Sequence, residues 1–298
     1  MADIRKQDYF IEVVSLLPAF VAMAWLISKA RWFWQRNPEL NFGWIVLMLC
    51  AFLFWETWPK RPIRALRLSR GCLLAGLAGL GMLALTQIYQ NAYGLTSSSM
   101  SGLAIGVFLV VAANLLYVFG RPGLVHFAFP VGFFLIALPI PSVIYAPIVS
   151  GLQGLVAAID VELLGLLGVP ATQVGSLIHI PAGTVGIDEA CSGIRSLQST
   201  VMATLFIGYL SFKSQGLRVL LLVAGVLFAI IGNILRSLFL SLVANKGGMG
   251  SIQTYHDAAG WSILAFTVAG VMLVAWGLSK IEKLKFNQKA EIQLKSKT

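Results

Sequence analysis

The stretch VGIDEACSGIRSLQSTVMATLFIGYLSF, Val185 to Phe212, runs from a polar loop into an apolar helix, and the rest of the chain is organised around that passage. Asp188 and Glu189 precede Cys191, and Ser192, Gly193 and Arg195 follow it. From Ile194 onward the pattern is that of a helix entering a membrane. The Cys191 thiol then sits at a helix N-terminus, where unpaired N–H groups and the positive end of the dipole favour a thiolate. An inert small capping residue would look the same, so a lone Cys does not make a nucleophile. The case has to come from the other segments.

Composition bounds those segments. Of 298 residues, 58% are hydrophobic and 11% charged, with mean hydropathy +0.83. A soluble domain carries about 25% charged residues. The chain therefore reads as an all-α polytopic membrane protein, a single membrane-embedded domain over residues 1–298. Its length leaves room for about eight spans of roughly 20 residues and for no separate soluble domain. The net charge of +10 suggests nucleic acid at first sight. Lys and Arg, however, gather in short flanks of apolar segments, where the positive-inside rule and anionic lipid account for them. No nucleic-acid partner is expected; the lipid bilayer is. Cys50 and Cys72 fall in or beside apolar runs. There is no CxxC, no Cys/His cluster and no HExxH, so neither a metal nor another cofactor is expected.

Taken in order, spans are expected near 10–27, 42–55, 72–89, 103–119 and 124–138, together making an N-terminal part, residues 1–140. The basic run KRPIRALRLSR, Lys60 to Arg70, marks a cytoplasmic loop. Arg121-Pro122-Gly123 reads as a tight basic turn between the fourth and fifth spans. Residues 141–190 differ. They hold no Lys or Arg, only Asp160, Glu162, Asp188 and Glu189, which predicts an extracytoplasmic segment. Its first part, 143–169, reads as amphipathic helix lying at the membrane surface. Its second, 171–187, reads as short strands or a hairpin. A catalytic three-span core follows over 191–279, with spans near 194–212, 219–243 and 256–278. The lysine-rich tail, 280–298, is cytoplasmic. Both termini are then inside. Lys29, Arg31 and Arg36 fall on the outer side against the rule, outweighed by the Lys60–Arg70 cluster.

This topology makes three residues meet. Cys191 opens the sixth span at its outer end. Arg236 lies 18 residues beyond Arg218, which at about 1.5 Å per residue carries it across to the same side. His256 opens the eighth span, again outside. An arginine in a span is a functional candidate, with snorkelling to the interface as the bland alternative; His256 could simply cap its helix. Together the three are the minimum kit for cysteine acyl transfer: a thiolate, an imidazole and an oxyanion-stabilising cation. His126 and His179 read as structural.

The blocks EACSGIRSL (Glu189–Leu197), GNILRS (Gly232–Ser237) and YHDAAGW (Tyr255–Trp261) resemble the three signature blocks of the exosortase/archaeosortase family. The run FPVGFFLIALPIP, Phe129–Pro141, resembles the block before that family's extracytoplasmic segment. The resemblance implies a cysteine transpeptidase or protease at the outer face of the bacterial inner membrane. Its substrates would be exported proteins with a C-terminal sorting tail, often containing Pro-Glu-Pro, and its acceptor a surface molecule of polysaccharide or lipid class. It implies Cys191 as nucleophile, Arg236 as oxyanion stabiliser and His256 as general acid/base. Arg195 also matches, as a structural or substrate-contacting residue.

Rival readings are a transporter and a non-catalytic subunit of polysaccharide export machinery. A transporter predicts an internal repeat with broken helices near the midplane; no repeat is evident. A structural subunit predicts that Cys191 can be replaced by Ala without loss.

Overall fold

The structure is a computed structural model that describes residues 11–187 and 194–295, with side chains as far as Leu284. Asp188, Glu189 and Cys191 lie outside the described residues. The chain divides into two compact units, Met1–Tyr145 and Ala146–Thr298.

The first unit holds α1 (Leu17–Arg36), α2 (Gly43–Thr57), α3 (Arg70–Tyr93) and α4 (Ser97–Gly132), which continues in 3-10 turns to Ala137. Aromatic packing and a few buried polar contacts hold it. The Trp34 indole donates to the Ala137 carbonyl at 2.7 Å, fully buried. Arg61 forks onto Glu12, with Nη2 to Oε2 at 2.9 Å, and its guanidinium stacks on Trp58. His126 Nε2 meets the Thr57 carbonyl at 2.9 Å, the structural role expected of it. Outward faces are strongly apolar: Leu74, Leu77, Leu80 and Leu85 on α3 are all exposed. Such a surface suits lipid.

The second unit holds most of α5 (Ser142–Leu166), a three-stranded sheet, then α6 (Ile194–Ser211), α7 (Gln215–Gly247) and α8 (Ser251–Lys295). The strands β1 (Thr172–Val174), β2 (Leu177–Ile180) and β3 (Gly183–Gly186) form an antiparallel meander in that order. Alternation decides its faces: Ile178, Ile180 and Val185 are buried with Val156, Ala157 and Leu164 of α5 and Ala244 of α7, while Thr184 and Gly186 are exposed. The strand reading of 171–187 therefore matches, with three strands in place of a hairpin.

Among the described residues, six helices are long and apolar enough to cross a membrane: Pro38–Lys60, Arg70–Tyr93, Ser97–Ala137, Ser142–Leu166, Gln215–Gly247 and Ser251–Leu284. The chain is a multi-pass membrane protein. Eight spans were expected, and the differences have local causes. Helix α1 carries Lys29, Arg31 and Arg36 in its second half and is not among the six. Helix α6 is only 18 residues long and starts with Arg195, Ser196 and Gln198. The fourth and fifth expected spans form one helical run, broken at Gly120, whose φ of 69° and ψ of −164° no side-chain-bearing residue adopts easily. Pro122 follows in the first turn after the break, where its missing N–H does no harm. Finally, the stretch expected to lie on the surface is a single helix, α5, that has the length and composition of a span.

Candidate active site

Of the three described residues expected at the site, Arg236 is on α7, His256 on α8 and Arg195 on α6. Small residues let these helices approach. A Cβ added to Gly232 would stand 2.7 Å from Ile263 Cγ2, and one on Gly270 would stand 2.6 Å from the Phe228 ring. Gly225 plays the same part between α7 and α6, against Thr204 at 2.5 Å. This is the close packing that small residues permit between membrane helices.

One turn beyond Gly232, Arg236 leaves α7 towards α8. Its Nη2 lies 2.9 Å from His256 Nε2. The guanidinium runs beside Gly260, where an added Cβ would be 3.8 Å away, in ordinary contact. His256 Nδ1 lies 3.1 Å from Asp257 Oδ1. A guanidinium only donates, so Nε2 accepts, and a neutral imidazole then carries its proton on Nδ1, facing the carboxylate. The Asp257 side chain is 92% exposed and the His256 side chain 32%.

Around this pair is a cavity of about 190 Å³. Val185 and Gly186 of β3, Ser237 and Leu240 of α7, Met249 in the turn after it, and Ile252 and Gln253 of α8 line it together with Arg236 and His256. Gln253 stands one turn before His256 on the same helix, a spacing that made it findable from sequence. Gly186 comes five residues before Cys191, a length of chain that spans at most about 18 Å between the two Cα atoms.

Arg195 is exposed in the first turn of α6 and is not among the described residues lining the cavity. His179 Nδ1 bonds the Thr184 hydroxyl at 2.8 Å across the sheet, away from the cavity. Among the described residues there is no cluster of three or more His, Cys, Asp or Glu side chains able to hold a metal ion.

The opposite end of the hairpin is polar in a different way. The backbone N–H groups of Lys213 and Ser214 donate to Glu282 Oε1 at 2.9 and 3.1 Å. Arg218 Nε donates to the Phe212 carbonyl at 2.8 Å, with its guanidinium over Tyr209. From Arg218 to Arg236 an uninterrupted helix rises about 27 Å, close to the thickness of a bilayer's hydrocarbon core.

The family model described as Transmembrane exosortase (Exosortase_EpsH) matches residues 34–275, most of the chain and all three signature blocks. The chain belongs to the transmembrane exosortase family. No curated protein and no solved structure matches it. Exosortases are known for protease and transpeptidase activity. Within this exosortase, the residue of the first block, Cys191, falls outside the described residues, and those of the second and third are the pair in hydrogen-bond contact.

Proposed function

We propose that this exosortase cuts the C-terminal sorting tail from exported proteins through a Cys191 thioester and passes them to a surface acceptor. The observation that carries the proposal is the Arg236–His256 contact inside a cavity lined by the end of β3, five residues before Cys191 in the sequence.

In the resting arrangement His256 offers a lone pair at Nε2, engaged by Arg236. For reaction the guanidinium leaves Nε2 for the substrate carbonyl. The Cys191 thiol gives its proton to Nε2, and the sulfur attacks the scissile carbonyl. Arg236 donates to the oxyanion that forms. As the C–N bond breaks, His256 returns the proton to the leaving amine. The mature protein is then a thioester on Cys191. An amine or hydroxyl of the acceptor attacks it, its proton passes through Nε2 to the departing sulfur, and the enzyme is restored. Water in place of the acceptor gives plain proteolysis. Arg195 would touch the substrate outside the cavity, a role supported by its exposure at the start of α6.

The site faces the extracytoplasmic side of the inner membrane, with both termini cytoplasmic. Residues 141–190 carry no Lys or Arg, and the tail from Lys280 carries six lysines; that asymmetry supports the orientation.

The test is co-expression with a reporter bearing a Pro-Glu-Pro-type tail, in wild type and Cys191→Ala cells, with tail removal read on a blot. Removal by the wild type alone is expected. Equal removal by both would overturn the cysteine mechanism, and a Cys191→Ala protein that still supports surface delivery would favour a non-catalytic subunit.

A further inference from the structure

Among the described residues, the sheet order leaves β3 at an edge. Val185 pairs with Ile178 and Gly183 with Ile180, and the Ile187 N–H donates to the Ser176 carbonyl at 3.0 Å. In an antiparallel ladder, residues that exchange main-chain bonds alternate with residues that do not. Gly183, Val185 and Ile187 therefore aim their N–H and C=O groups at β2. Thr184 and Gly186 aim theirs the other way, at the open edge, and both are exposed.

Edges of this kind are normally blunted by a charge, a proline or a covering element. The strand GTVG has neither charge nor proline. Its two glycines differ in their reasons. Gly183 has φ of 144° and sits against Met249, so the backbone requires it. Gly186 has no such φ, and a Cβ there would meet only Leu177 Cδ2 at 3.5 Å. The fold would accept a side chain at 186. A bare strand position that the fold does not demand leaves room for another backbone to come close. That position lines the cavity shared by Arg236 and His256.

We infer that the β3 edge binds the substrate as an added strand, with Thr184 and Gly186 exchanging main-chain hydrogen bonds with an extended peptide that runs into the cavity at Arg236 and His256. The ligand is an extended, uncharged backbone of a few residues, because only that presents N–H and C=O groups with the two-residue repeat of the edge. The inference rests on the reading of the cavity as a peptide-cleaving site. A tail with proline at every second position is no obstacle. Both missing N–H groups then face away from β3, and the residue between them does the pairing.

Strand addition predicts a two-residue periodicity, which a cross-linking walk reads directly. Thr184→Cys is made in a Cys191→Ala background; the Thr184 side chain is exposed, so the sheet core is untouched. Single cysteines are walked through eight consecutive positions around the motif of the Pro-Glu-Pro-type reporter, and disulfide formation is induced in membranes. Facing side chains on adjacent strands have Cβ atoms about 4.5–5.5 Å apart, against about 3.5–4.5 Å in a disulfide, a gap that strand breathing closes at facing positions and not at their neighbours, whose side chains are on the other face. Cross-links at alternate positions, about tenfold above their neighbours, are expected. Tail removal by the wild-type enzyme is scored in parallel, in cells that carry the same reporters without the Cys191→Ala protein. Removal with equal or absent cross-links overturns strand addition and leaves the peptidase reading standing. Alternating cross-links without removal keep the docking edge and overturn the peptidase reading. Neither result overturns both.

Discussion

Arg236 Nη2 lies 2.9 Å from His256 Nε2, so the one nitrogen of the ring that could take a proton from a thiol is engaged by a cation at rest. In the proposed mechanism this pair must separate before either residue acts, and the consequences of mutating the two differ.

Arg236→Gln removes the charged donor while leaving room for a hydrogen bond. Tail removal is expected to fall by about 10²–10³-fold, the usual effect of losing one oxyanion donor. Arg236→Lys keeps the charge but not the planar fork and is expected to fall between Gln and wild type. Initial rates of reporter cleavage in membranes measure both. A wild-type rate with Gln would remove Arg236 from the chemistry.

Asp257 tests whether the pair is extended into a triad. A buried orienting carboxylate is worth about 10⁴-fold in rate. The Asp257 side chain is 92% exposed, and an exposed ionic contact is screened and weak. Asp257→Asn is therefore expected to slow cleavage by less than about fivefold. A loss near that of His256→Ala would show that Asp257 becomes enclosed when substrate is bound.

Gly232→Val probes the spacing of α7 and α8. The first added carbon would already stand 2.7 Å from the branched side chain of Ile263, which cannot swing aside as a long chain end can. Overpacking of this kind costs about 1–3 kcal/mol. A lower unfolding temperature in detergent is expected, together with lost cleavage, since the helices that hold Arg236 and His256 are forced apart. Gly277→Ala, with nothing within 4 Å of the added carbon, is the control expected to change neither.

Asp160 is fully buried in α5, and the Ser237 hydroxyl lies alongside it. Neither carboxyl oxygen closes a hydrogen bond of ordinary geometry to a described residue. A buried polar group left unpaired costs about 1–3 kcal/mol. Leu has the same branching without the polar atoms, so Asp160→Leu is expected to raise thermal stability in detergent. A lower melting temperature would show that the carboxyl group has a partner that the fold depends on.

Much of this arrangement could be read from the chain because it follows from simple periodicities. Ile178, Ile180 and Val185 alternate with polar or small residues, and glycines punctuate the turns, so the sheet was legible. Eighteen residues of helix between Arg218 and Arg236 fix where the guanidinium emerges, so its meeting with His256 was legible too. The direct bond between them was not, because spacing along a helix says nothing about which rotamers touch. Asp160, unlike the exposed Glu162, misled in another way. A carboxylate in an apolar run suggests a wet helix face, and only tertiary packing decides that Asp160 is enclosed. Six of the described helices, against about eight expected spans, have the length and composition to cross a membrane, and the difference arises where charge and break signals compete: Lys29, Arg31 and Arg36 dilute α1, and Gly120 bends a helical run rather than ending it. Cys191, on which the sequence reading turned, lies outside the described residues.

On the proposed function, helix α7 acts as a ruler: Arg218, bound to the Phe212 carbonyl, marks its zero, and Arg236, about 27 Å away, marks the level of the cut. A client's tail helix lying alongside, with its own basic residues at the Arg218 level, brings its scissile bond to the cut only if about 18 residues separate the two. Four extra leucines add about one turn, 5.4 Å, and carry the bond past Arg236. Cleavage is expected to drop far more for that insertion than for leucines substituted in place, and equal cleavage of both would show that length is not read. An enzyme built this way sorts its clients by measure as well as by motif.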